Sequence, residues 1–242
     1  LELRKRNLLL NKNQKTLKEK NKELEKFAYV VAHDIKSPLN QIISLSGLLE
    51  SEYAAQLGKE ANQLIAYVKD SSGKLKDLVD GILSYYQGEN ILKEKKEELD
   101  FSQFLEEIIS LLDPKKEFQF HYPKDKLLIK VNKVALGQIF INLIGNSIKY
   151  NDKDKGEITI FFDQDSAFYF FTIVDNGPGI AEEDKERIFN VFTNLGKKDR
   201  YNNLGTGIGL ATVKKLVGIL GGKIEVLSEI NKGSTFKFSL KK

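Results

Sequence analysis

Apolar residues recur at a seven-residue interval along the first fifty or so residues of the chain. One heptad position is apolar throughout and a second becomes apolar from residue 28 onward; the two sets are Leu3, Leu10, Leu17, Leu24, Val31, Pro38 and Leu45, and Ala28, Ile35, Ile42 and Leu49. This repeat, flanked by Lys and Glu, favours a coiled coil over a solitary surface helix. Polar Asn7, Gln14 and Asn21 hold the second position earlier in the chain, which predicts a marginal upper coil.

A second amphipathic segment covers roughly residues 59–87, and Gly58 lies near the turn before it. One face of this segment is apolar and consists of Leu64, Val68, Leu75, Leu78, Ile82 and Tyr86. Two long helices that each bury a single stripe favour pairing with a second copy. We therefore predict an α-helical hairpin that forms a dimeric four-helix bundle with an N-terminal coiled coil.

Helical periodicity stops near Gln87, and the segment "GENILKEKKEELD" (88–100) predicts a charged linker. Beyond it, segments rich in aromatic and β-branched residues predict strands, whereas longer apolar segments predict helices. The predicted strands are 117–122, 157–163, 168–175, 222–229 and 234–240, and the predicted helices are 101–112, 134–150 and 207–220. This order predicts an α/β sandwich with helices on one face of a mixed sheet.

Composition then narrows the classes of function. The chain of 242 residues has no Cys, which excludes disulfides, zinc thiolate sites and Cys nucleophiles. Its net charge is +4, but residues 1–26 hold nine Lys or Arg against four Asp or Glu, so the remainder has a charge of about −1. That balance argues against a nucleic-acid-binding face. No apolar run approaches the ~18 residues of a membrane span, so we expect a cytoplasmic fragment, with any membrane attachment through a preceding region.

The helical segment "VVAHDIKSPLN" (30–40) contains one of the two histidines of the chain. On the heptad numbering His33 falls opposite the seam and is predicted to face solvent. Asp34 can fix the tautomer of the ring or take its proton, and Pro38 is expected to bend the helix next to it. An exposed imidazole at a bend suits a nucleophile that another domain can reach, although an ordinary surface histidine is the alternative. His121, within a predicted strand, is expected to be structural.

Three amide or amine side chains share one face of the predicted helix in "QIFINLIGNSIKYN" (138–151). Asn142, Asn146 and Lys149 are spaced i, i+4 and i+7. A buried amide without a partner costs about 1–3 kcal/mol, so these side chains need partners. One possibility is a polar network against the sheet. The other is an amide oxygen that ligates a hard cation such as Mg²⁺, with phosphates and waters as the remaining ligands.

Two glycine-rich segments complete the candidate site. In "VDNGPGI", Asp175 ends an apolar strand, where a carboxylate can accept a hydrogen bond from an exocyclic amine such as that of adenine. Gly177 and Gly179 either allow a close approach to a flat ligand or simply form a turn. In "GTGIGLATVKKL", the N-terminus of a helix opened by glycines could hold phosphates.

A dinucleotide-binding fold is the main rival for the last segment, and Glu225 even lies twenty residues after Gly205. That fingerprint has the spacing G-x-G-x-x-G and must follow a strand. Here the spacing is G-x-G-x-G, and the polar segment "GKKDRYNN" precedes it. We therefore reject the dinucleotide-binding interpretation.

Taken in order, these segments resemble the catalytic core of two-component sensor histidine kinases. "FAYVVAHDIKSPLNQI" is similar to the phospho-acceptor box of that family, "QIFINLIGNSIKYN" to its asparagine box, "DNGPGI" and "GTGIGL" to its glycine boxes, and "RIFNVFTNL" to its phenylalanine box. The resemblance covers about residues 24–240. It implies a coiled-coil signalling helix (1–23), a dimerisation and histidine phosphotransfer domain (24–90) and a catalytic Bergerat-type ATP-binding domain (91–242).

The resemblance also implies roles for individual residues. His33 would be autophosphorylated from ATP with Asp34 as its base, Asn146 would ligate Mg²⁺, and residues from about Thr193 to Leu204 would form a lid. Asp175 would accept a hydrogen bond from the adenine amine. The other nucleotide-binding residues would be Asn142, Lys149, Tyr150, Gly177, Gly179, Gly205, Thr206, Gly207, Gly209, Leu210 and Thr235.

The partners implied are a second copy of the chain and the receiver domain of a response regulator, whose aspartate would receive the phosphoryl group. The family commonly uses Thr or Asn four residues after the histidine for phosphatase activity, whereas this chain has Ser37. Two other classes are a scaffold that no longer turns over and a mechanical ATPase of the same superfamily. The second of these leaves the phospho-acceptor hairpin unexplained.

Overall fold

The computed structural model describes residues 2–86 and 95–242, and within the first helix it leaves out the side chains of residues 2, 3, 5, 8, 18 and 21. The chain divides into two compact units, Leu1–Gln87 and Gly88–Lys242. The side chains of the predicted seam residues Leu3 and Asn21, the linker residues 88–94 and the predicted domain boundary after residue 90 therefore lie outside the described part.

The first unit is a helical hairpin of α1 (Glu2–Tyr53) and α2 (Lys59–Tyr86). Its helices are joined by a short turn at residues 54–58, and α1 runs as one helix through Pro38. Ala32, Leu39 and Val79 form a small buried core between the two helices. The ion pair between Lys36 Nζ and Asp80 Oδ1, 2.7 Å apart, joins the helices beside this core. No helix within residues 2–86 or 95–242 is both long and apolar enough to cross a membrane.

Helix α1 has a second apolar stripe that α2 does not cover. The residues that pack toward α2 are buried, and the predicted seam residue Ala28 is itself buried, with 9% exposure. Most of the predicted dimer seam is instead 37–64% exposed within one chain; these residues are Leu10, Leu17, Leu24, Val31, Ile35, Ile42, Leu45 and Leu49. On α2, Leu64, Val68 and Leu75 are likewise 44–64% exposed. One apolar stripe of α1 thus packs against α2, and another remains exposed and can contact a further protein surface.

The second unit is an α/β sandwich built on a five-stranded sheet. Its strands are β2 (Phe118–His121), β4 (Gly156–Gln164), β5 (Phe168–Asp175), β6 (Ile224–Glu229) and β7 (Gly233–Lys241), in the spatial order β2-β4-β5-β7-β6. Strand β2 is parallel to β4 and the other pairs are antiparallel. The helices are α3 (Phe101–Leu112), α4 (Lys133–Lys149) and α5 (Gly209–Ile219). The fold prediction of a helical hairpin followed by an α/β sandwich is confirmed.

Part of the predicted linker is a strand. Residues Glu97–Asp100 form β1, which pairs antiparallel with β3 (Leu128–Val131), a strand that the periodicity also failed to predict. The linker prediction is therefore wrong at residues 97–100. The reason is that Leu99 is buried and Asp100 accepts a hydrogen bond from Ser102 N as the N-cap of α3, although the neighbouring glutamates are exposed. A four-residue segment with a single apolar residue, as in β1, is too short a pattern to indicate a strand.

Helix α4 lies at the centre of the second unit. Its residues Leu136, Ile139, Phe140, Leu143 and Ile144 are fully buried, because one side of the helix packs on the sheet. The Asn132 side chain caps the helix and accepts a hydrogen bond from Ala135 N at 2.9 Å. This packing fixes the rotation of α4, and with it the direction of the polar residues along the rest of its surface.

Candidate active site

Asp175 is the buried polar centre of the second unit. It ends β5 and is only 9% exposed. Its Oδ1 accepts hydrogen bonds from Gly177 N at 3.0 Å and Ser234 N at 3.2 Å, and Ser147 Oγ donates to its Oδ2 at 3.2 Å. Residues from α4, from the turn after β5 and from β7 therefore converge on one carboxyl group.

Burial raises the pKa of Asp175 above the ordinary value, because removal from water disfavours the charged form. The hydrogen bonds from Gly177, Ser234 and Ser147 act in the opposite direction and lower the pKa in part. One more hydrogen-bond donor would stabilise the ionised form of this carboxylate. An amine on a flat ligand would supply such a donor.

Asn142, Asn146 and Lys149 lie along α4, the helix that also carries Ser147. Asn142 Nδ2 donates to Gln138 O at 2.8 Å, which leaves the Asn142 Oδ1 directed toward Gly209. Asn146 is half-buried, and its amide makes no hydrogen bond with any residue that the structure describes. The Lys149 side chain is exposed.

Tyr150 follows α4 and meets the second glycine-rich segment. Its hydroxyl lies against the backbone of Gly205, where a methyl group on residue 205 would overlap it. Burial raises the pKa of the Tyr150 hydroxyl, and the negative charge of Asp199 raises it further, while the Gly205 N–H opposes both effects. The ring of Tyr150 is therefore half-buried under the segment that precedes α5.

Three glycines are required by close packing. Gly179 and Gly207 have positive φ angles of 73° and 69°, and a side chain on Gly207 would lie 2.5 Å from Thr193 O. A methyl group on Gly209 would lie 2.7 Å from Asn142 Oδ1, so this glycine lets the start of α5 approach α4. Gly179 packs against the backbone of Glu229 instead. The first turn of α5 has no side-chain cap, and this leaves its N–H groups open to an anion.

The sheet register corrects the prediction for Thr235. Asp175 pairs with Ser234 and Val174 pairs with Thr235, so Thr235 lies on the opposite face of the sheet from the Asp175 side chain. A cavity of about 400 Å³ is lined by Thr235 with Val174 and Leu227, and also by Asp175 and Ser234. Ser234 lies on the Asp175 face instead and donates to Asp175 through its N–H, since a shift of one residue along a strand reverses the face.

Sequence reasoning also missed Ser147 and the pair Asn151 and Asn176. Asn151 Nδ2 donates to Asn176 Oδ1 at 2.9 Å, and this bond joins the end of α4 to the turn after β5. Ser147 had a usable signal, because it is a polar residue next to Asn146 on an otherwise apolar helix. The two remaining predicted residues, Thr206 and Leu210, are half-buried at either side of the start of α5.

A metal ion would find few protein ligands here. Among residues 2–86 and 95–242 there is no group of three or more His, Cys, Asp or Glu side chains that could hold a metal. The Asn146 amide, which has no partner within that part of the chain, is a suitable oxygen ligand for Mg²⁺. These residues fit a cation that receives most of its ligands from phosphates and water.

The predicted acceptor lies in the first unit. The His33 and Asp34 side chains are both 71% exposed, and His33 Nδ1 lies 3.2 Å from Asp34 Oδ1. The ring of Tyr29, one turn earlier, stacks on His33 with a centroid distance of 6.5 Å. Ser37, one turn later, is also exposed. With Nδ1 facing the carboxylate, Nε2 is the ring nitrogen left open to solvent.

Two family models match this chain in succession. Residues 23–91 match the "His Kinase A (phospho-acceptor) domain", and residues 131–242 match the "Histidine kinase-, DNA gyrase B-, and HSP90-like ATPase". The first match contains His33 and Asp34. The second contains all the residues around Asp175 that are described above.

Curated relatives share both parts. Cyanobacterial phytochrome A of Nostoc sp. is 33% identical over 230 residues, which are 93% of this chain and 29% of the relative. Sensor histidine kinase AruS of Pseudomonas aeruginosa is 31% identical over 228 residues, which are 89% of this chain and 22% of that protein. The chain therefore spans less than a third of the length of these relatives.

Solved structures show the same fold. Full-length ShkA in complex with AMPPNP superposes with a TM-score of 0.69 and 23% identity over 89% of this chain and 45% of that chain. Histidine kinase ThkA in complex with the response regulator protein TrrA gives a TM-score of 0.58 and 23% identity over 90% of this chain and 61% of that chain. With the phospho-acceptor and ATPase domains in order on one chain, this protein belongs to the sensor histidine kinases and comprises their catalytic core.

Proposed function

We propose that this chain is a protein-histidine kinase that transfers the γ-phosphoryl group of ATP to His33 and then passes it to an aspartate of a response-regulator receiver domain. The observation that carries the proposal is the geometry of His33, an exposed imidazole with Nδ1 beside Asp34 and with Nε2 open. The named relatives and the complexes with AMPPNP and TrrA support it by similarity.

Asp34 holds the reacting tautomer of His33. If Nδ1–H donates to the Asp34 carboxylate, the Nε2 lone pair is free to attack the γ-phosphorus atom. The new bond is N–P, the broken bond joins phosphorus to the β–γ bridging oxygen, and ADP leaves. The positive charge that develops on the ring is neutralised when Asp34 accepts the Nδ1 proton.

The second unit would bind the nucleotide with three groups of residues around α4. Asp175 accepts the hydrogen bond from the adenine amine, Tyr150 packs against the base, and the uncapped start of α5 faces the phosphates. Asn142 and Lys149 lie along the same helix face, near the phosphates. Phosphoryl transfer depends mainly on positioning and charge neutralisation, and this arrangement supplies both.

Mg²⁺ would be held by the Asn146 amide oxygen together with the phosphates. The ion neutralises charge on the phosphate oxygens during transfer. Because the described residues provide no acidic cluster, we expect Mg²⁺ to bind only with the nucleotide. Calorimetry should therefore detect Mg²⁺ binding in the presence of ATP and none in its absence.

Incubation with γ-labelled ATP tests the proposal against its two rivals. Label that stays on the protein indicates a histidine kinase, whereas released phosphate without labelled protein indicates an ATPase. If neither labelled protein nor released phosphate is formed, the result indicates a scaffold. A phosphoramidate on imidazole should in addition be lost in acid and survive base, the reverse of a phosphoserine.

We also expect a homodimer held by the exposed stripe of α1. Light scattering should give twice the mass of the 27.5 kDa chain. Ile42→Glu should shift the protein toward the monomer, because it places a charge in the seam, whereas Gln41→Glu at the neighbouring exposed position should not. A monomeric parent at micromolar concentration would count decisively against the dimer.

Ser37 should make the chain a weak phosphatase. It lies one turn after His33 on the same helix face, where a hydroxyl can orient water toward a phosphorylated aspartate. Serine lacks the β-methyl group that restricts χ1, so the productive rotamer is less populated than with threonine. Ser37→Thr should accelerate the decay of a phosphorylated receiver domain and leave autophosphorylation nearly unchanged. Fast decay with the parent and no gain from threonine would show that the methyl group is irrelevant.

A further inference from the structure

The structural reason for a glycine at residue 205 differs from the reason at residue 207. Gly207 has a φ of 69° and lies against the backbone of Thr193. Gly205 has no positive φ, so its backbone conformation is open to alanine. What a methyl group at residue 205 would strike is the Tyr150 hydroxyl, whereas the next ring atom, Cζ, would lie at 3.5 Å, an ordinary contact.

The same hydroxyl is the heavy atom nearest to that methyl position, so it lies against the Gly205 backbone. Apart from the neighbours of residue 205 in the chain, the atoms that the described structure places within 4 Å of that methyl position belong to Tyr150. The contact joins the C-terminal end of α4 to the segment that leads into α5.

The segment 193–205, here called the lid loop, has a second attachment at the same place. Arg200 N donates to Lys149 O at 2.8 Å, and the Arg200 guanidinium lies over the ring of Phe118, 4.9 Å from its centroid. Asp199 Oδ1 closes the tip of the loop by accepting from Tyr201 N and Asn203 N. Lys149 and Tyr150, consecutive residues at the end of α4, therefore hold the lid loop at its tip and at its end.

We propose that the Tyr150 hydroxyl is a positioning residue that holds the end of the lid loop against α4, and that residue 205 is glycine to admit this hydroxyl. The proposal rests on the proposed function only in assigning the positioned loop to nucleotide binding. This contact would pre-organise the start of α5 for phosphates. A loop that is ordered before the ligand binds loses less conformational entropy on binding.

Hydrogen exchange in the absence of nucleotide tests the contact directly. In Tyr150→Phe the ring remains and only the hydroxyl and its contact with residue 205 are lost, so we expect the amides of residues 193–207 to exchange about three- to tenfold faster, the effect of one weak polar contact. The amides of β5 and β7 should be unchanged. Equal exchange of the lid loop in the two proteins would overturn the proposal.

A rescue experiment on Mg-ATP affinity provides the second test. Tyr150→Phe alone should weaken binding about three- to tenfold, and Gly205→Ala should weaken it more, because the methyl group displaces the loop. The double variant Gly205→Ala/Tyr150→Phe should bind better than Gly205→Ala alone, because the obstacle is gone. Gly207→Ala serves as the matched control and should gain nothing from Tyr150→Phe, since its positive φ and the Thr193 carbonyl remain.

Lack of rescue at Gly205 would refute the steric part of the proposal, and rescue at both glycines would refute its specificity. If the parent binds no ATP, the proposed function fails, but the exchange comparison still decides whether Tyr150 positions the loop. The two failures are therefore distinguishable.

Discussion

His33→Gln should abolish transfer of label from γ-labelled ATP to the protein and leave Mg-ATP affinity unchanged. Glutamine cannot supply the imidazole Nε2 lone pair, so labelling should fall to background. Binding should persist because the nucleotide-binding residues lie in the separate compact unit Gly88–Lys242. Autoradiography of the denatured protein measures the first effect and calorimetry the second.

His121→Gln is the matched control, because His121 is the other histidine of the chain and lies exposed on β2. It should label as the parent does. Label that persists in His33→Gln and disappears in His121→Gln would move the acceptor site to the sheet. Label that persists in both single variants and in the double variant would show that the acceptor is no histidine.

Asp175→Asn should weaken ATP binding by roughly 1.5–3 kcal/mol, or about 10- to 150-fold. The adenine amine would lose its charged acceptor, while the protein contacts can remain. The Asn Oδ1 can still accept from Gly177 N and Ser234 N, and its amide can donate to Ser147 Oγ, because a hydroxyl also accepts. Calorimetry with Mg-ATP measures the loss.

The same variant should be at least as resistant to heat as the parent at neutral pH. Because the folded pKa of Asp175 is raised, its ionised form destabilises the folded state at pH values above that pKa, and this destabilisation disappears as the pH falls through it. Asparagine removes the charge at every pH. The stability difference between variant and parent should therefore be largest at neutral pH and shrink on acidification, as thermal unfolding at several pH values would show.

The affinity of the parent for ATP should decrease on acidification, although its folded state is then relieved of the buried charge. As the pH falls through the raised pKa, Asp175 loses the charge that accepts from adenine, so the affinities of parent and Asp175→Asn should converge. Asp165→Asn is the control, since the Asp165 carboxylate accepts from Ala167 N and Phe168 N in an exposed turn, where these hydrogen bonds lower its pKa. It should bind ATP as the parent does. Parent-like affinity in Asp175→Asn would remove Asp175 from the base site.

Most elements of the fold followed from local periodicity. A 3.5-residue repeat identified the long α1, and aromatic and β-branched runs identified β4, β5 and β7, because burial of one face imposes its period on the sequence. Strands β1 and β3 were missed, since each has only four residues and so contains too little of that pattern. They exist because Leu99 and Ile129 enter the core together, a contact between distant parts of the chain.

The candidate site divides in the same way. The sequence by itself determined which residue types are available: His33 beside Asp34, amides one turn apart on α4, Asp175 at a strand end and glycines before α5, all of which depend on spacing along the chain. Only the tertiary structure decided that Ser234 rather than Thr235 faces Asp175, that Ser147 donates to it, and that Gly205 lies against Tyr150. Strand register and the approach of separate segments are set by packing across the core, where a shift of one residue reverses a face, and no local pattern encodes that choice.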